Sequence, residues 1–496
     1  MEQHAVVIGA GIGGLASAIR LAIKGYSVDV LEQSDKPGGK ISQLHTNGFR
    51  FDTGPSLFTM PGLVDELFIL AGQDPSKYFQ YRALDSSCKY FWEDGTIINA
   101  WKDPRRFARE INSKTAVSEN RVLEFLKKSK RLYDITAEVF LFNSFHKAGN
   151  YLKPAFLKSI FRLHELDAFT TMHRKNTGWF SDPRVVQLFD RYATYNGSDP
   201  YKTPATLNII PHLEHNIGAF FPTKGMYQIT EALYDLARDL GVRFHFKSPV
   251  KEITTKQSRV IGVMTPHNTW APDLVISNVD VVTLYTNLLP GIPVPKKQIK
   301  GERSTSALIF YWGMNRIFKE FGLHNILFSN DYKTEFDHLF ARKTISDDPT
   351  VYIFISSREV PDDAPPGCEN WYVMINAPEN NGQDWPNLIS RARQNILNKI
   401  QRITGIDVSQ LIVTESIADP RTIESDTASY RGSLYGLSSN SSFSAFNRHP
   451  NFKKSIKNLY FTGGSVHPGG GIPLCLASAR IVDEVIPKTK KQQNHG

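Results

Sequence analysis

The sequence predicts an α/β protein of two domains: a Rossmann-like dinucleotide-binding domain and an inserted domain of mixed sheet and helices. Three observations carry this expectation. A strand, a glycine turn, a helix and a second strand follow one another between Ala5 and Glu32. A glycine-rich loop followed by a helical pattern recurs between Leu459 and Arg480. A chain of 496 residues, 41% of them hydrophobic, also exceeds what one core usually organises.

The first unit can be justified residue by residue. Ala5 to Ile8 is an apolar run of the kind a buried parallel strand shows, and Gly9, Gly11 and Gly14 come next with the spacing G-x-G-x-x-G, Gly13 lying among them. Leu15, Ala18, Ile19, Ala22 and Ile23 then recur at helical spacing, and Gly25 stands where the helix would stop. Val28 to Leu31 is the second strand and Glu32 ends it. In such a unit the first glycine permits the turn, the second admits a pyrophosphate, and the third lets helix and strand pack closely. Phosphates sit on the helix N-terminus, where free N–H groups and the dipole favour negative charge. Glu32 is placed to accept hydrogen bonds from ribose hydroxyls, which disfavours NADP and leaves NAD or FAD.

The residues after Glu32 separate those two. E-Q-S-D-K-P-G-G-K ends at Lys40, a cation able to reach a phosphate, and F-D-T-G-P-S-L spans Phe51 to Leu57. Both segments resemble the amine-oxidase-like flavoprotein superfamily, in which the first β-α-β unit runs on into a G-G-[R/K] and then a D-x-G segment. The resemblance implies FAD.

Near the C-terminus, Leu459 to Thr462 reads as a strand, the adjoining glycines as a loop that admits a ligand, and Pro473 as a first-turn helix residue. In the resembled superfamily this helix points at the flavin ring and favours the charge that builds on reduction. The loop from His467 to Pro473, H-P-G-G-G-I-P, resembles that of the bacterial phytoene-desaturase-type carotenoid enzymes. So do Ser181 to Gly197, Ile210 to Met226 and Tyr430 to Gly436, in that family's order. Within the family the run of sequence is most similar to the 1-hydroxycarotenoid 3,4-desaturase group. Two departures stand out: Pro222-Thr223-Lys224-Gly225-Met226 replaces a common P-x-G-G, and Gly463-Gly464-Ser465 lacks the acid many flavoproteins carry there. The resemblance implies a cofactor site built from Gly9, Gly11, Gly13, Gly14, Glu32, Lys40, Gly54, Ser56, Leu57, Val250, Asn278, Gly436, Gly463, Gly464, Gly470, Gly471, Ile472 and Pro473.

Val242 to Ile253 reads as strand, turn and strand, with Val250 where the resembled fold brings backbone against adenine. Leu274 to Asn278 reads as a strand returning to the cofactor domain. The expected organisation is discontinuous: residues 1–85, 205–285 and 411–496 bind FAD, while 86–204 and 286–410 form the substrate and membrane-associating domain. Only one dinucleotide fingerprint is evident, so electrons are expected to leave to oxygen or a quinone. The polar tail from Lys488 to Gly496 reads as disordered.

Cys88, Cys368 and Cys475 show no C-x-x-C spacing, which argues against a disulfide framework or a thiolate metal site. No H-x-H, H-E-x-x-H or clustered carboxylate pattern points to a metal, and no nucleophile elbow points to Ser-His-Asp hydrolysis. No secretory leader precedes the first strand, so a cytoplasmic location is expected. The net charge of +9 fits an anionic membrane surface or a nucleic acid, but no nucleic-acid signature is present. Between Arg131 and Arg162 aromatics and cations interleave. That stretch reads either as a buried helix pair or as an interfacial segment, with Lys147, Lys153, Lys158 and Arg162 at headgroups and Phe156 and Phe161 in the acyl boundary. Peripheral attachment to the inner face of the cell membrane, and a carotenoid drawn from it, are implied by the second reading.

Asp190, Arg191, Tyr195, His212 and His467 are candidates for taking up a proton or anchoring a polar end group, and no catalytic residue stands out among them. The expected function is an FAD-dependent carotenoid desaturase that introduces a C-3,4 double bond into a 1-hydroxylated carotenoid by hydride transfer to flavin N5. Phytoene desaturase, carotenoid isomerase and amine oxidase stay open as alternatives.

Overall fold

A computed structural model of the chain describes residues 3–137, 141, 162–442 and 444–489. Two large sheets organise it. In the first, strand β1 (His4–Ile8) lies parallel between β2 (Ser27–Leu31) and the strand Leu274–Ser277. Arg243–His245 extends the sheet beyond β2, and Ile456–Phe461 extends it beyond Leu274–Ser277, both parallel. Strands Arg259–Met264 and Glu252–Lys256 complete that edge. Helix α1 (Ile12–Ile23) crosses from β1 to β2 and is buried along most of its length. It packs in one core with Leu476, Ala479 and Val482 of the C-terminal helix Ile472–Asp483 and with Ile229, Leu233 and Leu236 of Gln228–Asp239. A helix so enclosed needs apolar residues nearly all round, and α1 supplies them except at Ser17, which donates to Gly13 O, and Arg20, which pairs with Glu66.

The second sheet has the order Ile412–Ala418, Ser306–Met314, Glu369–Ala377, Val351–Phe354, His324–Leu327, Ser86–Phe91, Ile97–Trp101. Its pairings are antiparallel except between His324–Leu327 and Ser86–Phe91. Strand Ser306–Met314 is buried on both faces. Because side chains alternate across a strand, Leu308, Phe310 and Trp312 enter a core with helix Trp385–Thr404, while Ala307, Ile309 and Tyr311 turn to the opposite face. Trp371, Val373 and Ile375 divide from Tyr372, Met374 and Asn376 in the same way on the neighbouring strand. That opposite face walls a cavity.

The strand Ile412–Ala418 pairs with Ser306–Met314 in this second sheet. The boundary expected at residue 411 therefore falls before a strand of the second sheet; the strand that returns to the first sheet is Ile456–Phe461. Among the described residues no helix is long and apolar enough to cross a membrane. The aromatic and basic positions Lys147, Lys153, Lys158, Phe156 and Phe161 lie outside the described residues. Arg162 donates from Nε to Glu165 Oε1 at 3.0 Å.

Candidate active site

One cavity of about 1460 Å³ runs between the two sheets. Typical small-molecule sites span roughly 300–1,000 Å³, so this volume suits a large cofactor together with a substrate. At one end its floor is Gly9, Gly11 and Gly13, and its wall includes Glu32, Gly38, Gly39, Lys40 and Val250. Gly54, Ser56 and Leu57 face it from the loop after the strand Phe49–Thr53. Asn278, Gly436, Gly464, Gly470, Gly471, Ile472 and Pro473 close it from the C-terminal side. Residues spread from position 9 to position 473 thus converge on one space.

Two expected binding glycines face elsewhere. Gly14 does not line the cavity: a Cβ there would overlap the Gly9 carbonyl oxygen, so the position lets α1 sit against the loop. Gly463 is likewise behind the wall, where a Cβ would collide with the Asn278 amide. Asn278 backs the whole turn. Its backbone N–H donates to Ile8 O at 2.8 Å, and its side chain stands where any Cβ on Gly11 or Gly13 would fall.

Glu32 is buried, and its carboxylate accepts from Ala10 N at 2.7 Å and Ser34 N at 2.9 Å. It fixes the loop's shape as well as facing the cavity. Lys40, expected as a cation able to reach a phosphate, is half-buried and donates from Nζ to Leu434 O at 2.7 Å. Burial lowers its pKa, opposed by the charges of Asp280 and Cys475. Asp280 lines the same region and accepts from Val282 N at 2.9 Å; desolvation raises its carboxyl against the pull of Arg303 and Lys40. In place of the missing acid of the C-terminal loop, Ser465 Oγ accepts from Val281 N at 2.9 Å. In the altered P-x-G-G segment, Met226 N and Tyr227 N donate to Asp52 at 2.8 and 3.0 Å, which ties the start of helix Gln228–Asp239 to the hairpin before Gly54.

The other part of the cavity is walled by Ala307, Ile309, Tyr311, Tyr372 and Met374, by Tyr352 and His324, and finally by Ser87 and Cys88 on the last strand but one of the second sheet. Of the five candidates for proton uptake or anchoring, Arg191 and Tyr195 line it. Asp190 is buried away from it, bonded to His173 Nδ1 at 2.6 Å and Asn176 Nδ2 at 2.8 Å. His212 pairs with Asn216 Nδ2 at 2.9 Å and packs on Tyr133. His467 is buried behind the glycine loop, its N–H donating to His449 O at 2.9 Å.

Sequence reasoning missed the groups beneath Arg191. A π-helical turn, Leu213–Ile217, turns both Glu214 and His215 inward; such turns often mark functional sites. Glu214 accepts from Ser87 Oγ at 2.6 Å and Tyr195 OH at 2.5 Å, and pairs with Arg191 Nη2 at 3.4 Å. Burial alone would raise its pKa, but Arg191, His215, Ser87 and Tyr195 outweigh that and hold it at about 2. Arg191 also donates to Tyr90 OH at 2.6 Å and stacks over the rings of Tyr90, Tyr192 and Tyr195. Nearby, Tyr352 OH bridges Ser56 Oγ at 2.6 Å and His324 Nδ1 at 2.7 Å. Burial lowers His324 to about 3, so its ring is neutral. The one signal available in sequence was the cluster of titratable residues, His212, Glu214 and His215, in the run I-P-H-L-E-H-N-I-G.

A glycine-floored nucleotide cleft joined to a sheet-walled chamber defines an FAD-dependent oxidoreductase, and comparison with known proteins bears this out. Residues 12–482 match the family model of the flavin containing amine oxidoreductases, and the chain belongs to that family. Its cofactor is FAD. The chain is 48% identical over 98% of its length to the 1-hydroxycarotenoid 3,4-desaturase of Flavobacterium sp. (strain P99-3), covering 99% of that protein. It is 32% identical to the 4,4'-diapolycopene oxygenase of Methylomonas sp, with 98% of each chain covered. Among solved structures, an oxidoreductase from Methanosarcina mazei superposes with a TM-score of 0.65 at 15% identity, covering 97% of this chain and all of that one; this likeness is one of fold.

Proposed function

We propose that this protein removes two hydrogens from the C-3,4 bond of a 1-hydroxylated carotenoid. The observation that carries the reading is the near full-length similarity, at 48% identity, to a 1-hydroxycarotenoid 3,4-desaturase, and the long aromatic chamber beside the nucleotide cleft supports it. Bound FAD supplies the hydride acceptor. The protein's own part is to hold, orient and dry.

Gly9, Gly11 and Gly13 leave room for a pyrophosphate against the N-terminus of α1, Glu32 and Val250 would hold the ribose and adenine end, and Gly470 to Pro473 would present a second helix N-terminus to the ring. Ser56, Leu57 and Gly436, which line the same cavity, would help to hold the ring. Tyr311, Tyr372 and Tyr352 lay flat apolar surface along a polyene and exclude water, which holds the reacting bond in place. The polyene itself delocalises developing positive charge, so no strong base is required. Electrons leave to oxygen or a quinone. The substrate is drawn from the inner face of the cell membrane, where the protein attaches peripherally in the cytoplasm; its insolubility in water and the chain's +9 charge support this.

The FAD-loaded protein, mixed with lipid vesicles carrying either a 1-hydroxylated carotene or phytoene, tests the reading. A loss of two hydrogens by mass with a red shift in absorption, seen with the hydroxylated carotene alone, is the expected result. Coloured products from phytoene would move the enzyme to a different branch of carotenoid desaturation, and no change with either would overturn the reading.

A further inference from the structure

Hydrocarbon needs only hydrocarbon around it, yet the far chamber wall carries ions. Arg191 and Glu214 are both buried, and Glu214 has only 2% of its surface exposed. Taking such a pair out of water costs several kcal/mol per ion before attraction and hydrogen bonds repay it. Glu214 is fully engaged, by Ser87, Tyr195 and Arg191. Arg191 is not, because its Nε is buried without a hydrogen-bond partner. His324 Nε2, on the next strand of the wall, has none either. Tyr195 gives its proton to Glu214, and of its two oxygen lone pairs one takes the long 3.4 Å bond from Arg191 Nη1, which leaves the other able to accept.

Arg191 and Tyr195 both line the cavity. Together they offer one N–H donor and one oxygen acceptor, the complement of an alcohol. The ring stack of Tyr90, Tyr192 and Tyr195 around the guanidinium, and the carboxylate beneath it, fix its plane. The cluster is thus rigid before any ligand arrives.

We propose that Arg191 and Tyr195, held by Glu214, form the recognition site for the end-group hydroxyl of the carotenoid and make the enzyme select hydroxylated over hydrocarbon carotenoids. The substrate's O–H donates to Tyr195 and its oxygen accepts from the Arg191 guanidinium, whose Nη1 lies beside the Tyr195 oxygen. Glu214 is a positioning residue, acting through both. A site built to bond a hydroxyl rejects the analogue lacking it strongly, because its own polar groups are then left buried and unpaired. This inference rests on the desaturase reading for the choice of ligand.

The test compares binding and turnover separately. FAD-loaded full-length protein is titrated with phosphatidylcholine vesicles carrying a 1-hydroxylated carotene or the matching hydrocarbon, binding is read from the shift of the polyene absorption bands, and turnover from mass. Wild type is expected to favour the hydroxylated ligand by about tenfold or more, the equivalent of one net hydrogen bond. Tyr195→Phe should lower that preference severalfold. The double variant Arg191→Met, Glu214→Gln leaves no lone buried charge and should bring the preference near unity, chiefly by weakening the hydroxylated ligand. If the double variant does not fold, Tyr195→Phe decides. An unchanged preference in a variant of normal flavin content overturns the proposal, as does a wild type that binds both ligands equally. Selective binding without dehydrogenation would instead sustain the site and overturn the desaturase reading.

Discussion

The two ends of the cavity are made of different material. Around the nucleotide the wall is largely backbone, glycines and helix starts drawn close by the absence of side chains, with Glu32 as the main acid. Around the substrate the wall is side chain: tyrosines on successive strands, then Arg191 over Glu214. A cofactor shared by many enzymes is held through geometry common to many sequences, whereas selectivity is written in side chains that can change one at a time without disturbing the sheet.

That contrast can be broken most severely at Gly14. Gly14→Val would drive a side chain into the Gly9 carbonyl, and no soluble flavin-loaded protein is expected; flavin absorbance of the purified fraction reads this directly. Gly39→Ala in the same cleft would meet only Gly11 Cα, at 3.5 Å, and costs mainly its left-handed φ of 58°, about 1 kcal/mol. At the other end, Glu214→Ala leaves the Arg191 charge buried alone and should lose about 3–5 kcal/mol in urea unfolding. The charge-neutral double variant should lose far less, which would mark the pair as retained for selectivity.

Glu32→Gln removes the charge from an acceptor of two backbone N–H groups. It should raise the FAD Kd by about 10- to 100-fold in apoprotein titrations while leaving carotenoid preference alone. A further effect is one of pH. Burial lowers His215 from 6.5 to about 4, so the unfolded chain takes up its proton first and this contribution to stability is lost as pH falls below 6.5. Replacing it with His215→Phe should therefore reduce the stability lost between pH 7 and pH 5 by about 2 kcal/mol relative to wild type. Comparison with wild type is needed because burial raises Asp199 to about 6 and Glu335 to about 7, and these act in the opposite direction over the same range.

The nucleotide end was legible in sequence because its residues are contiguous and its spacing is dictated by backbone. β1, α1, β2 and the C-terminal helix appear where periodicity and glycines put them. Spacing cannot say which glycine faces a ligand and which its own helix, so it groups Gly14 and Gly463 with the cavity floor. Nor can it give Lys40 a partner almost four hundred positions away, at Leu434. The substrate end was far less legible. Ser87, Arg191, Glu214, His324 and Tyr352 meet only through the order of the second sheet and one π turn, and neither leaves a local periodicity. Arg191 and Tyr195 are visible as polar residues in an apolar run, but Asp190 and His212 look the same and are structural.

The placement of Ile456–Phe461 carries a consequence for how the molecule is made. This strand is made well after both of its neighbours, yet it sits inside the first sheet, between Leu274–Ser277 and Arg259–Met264. Until it arrives, the nascent chain exposes the unpaired edge of Leu274–Ser277, the kind of surface on which chains aggregate. The helix that closes the nucleotide cleft comes after it. The cleft is therefore complete only once Ile472–Asp483 has folded, and a chain stopped short of residue 456 is expected to be a sticky apoprotein rather than a smaller enzyme.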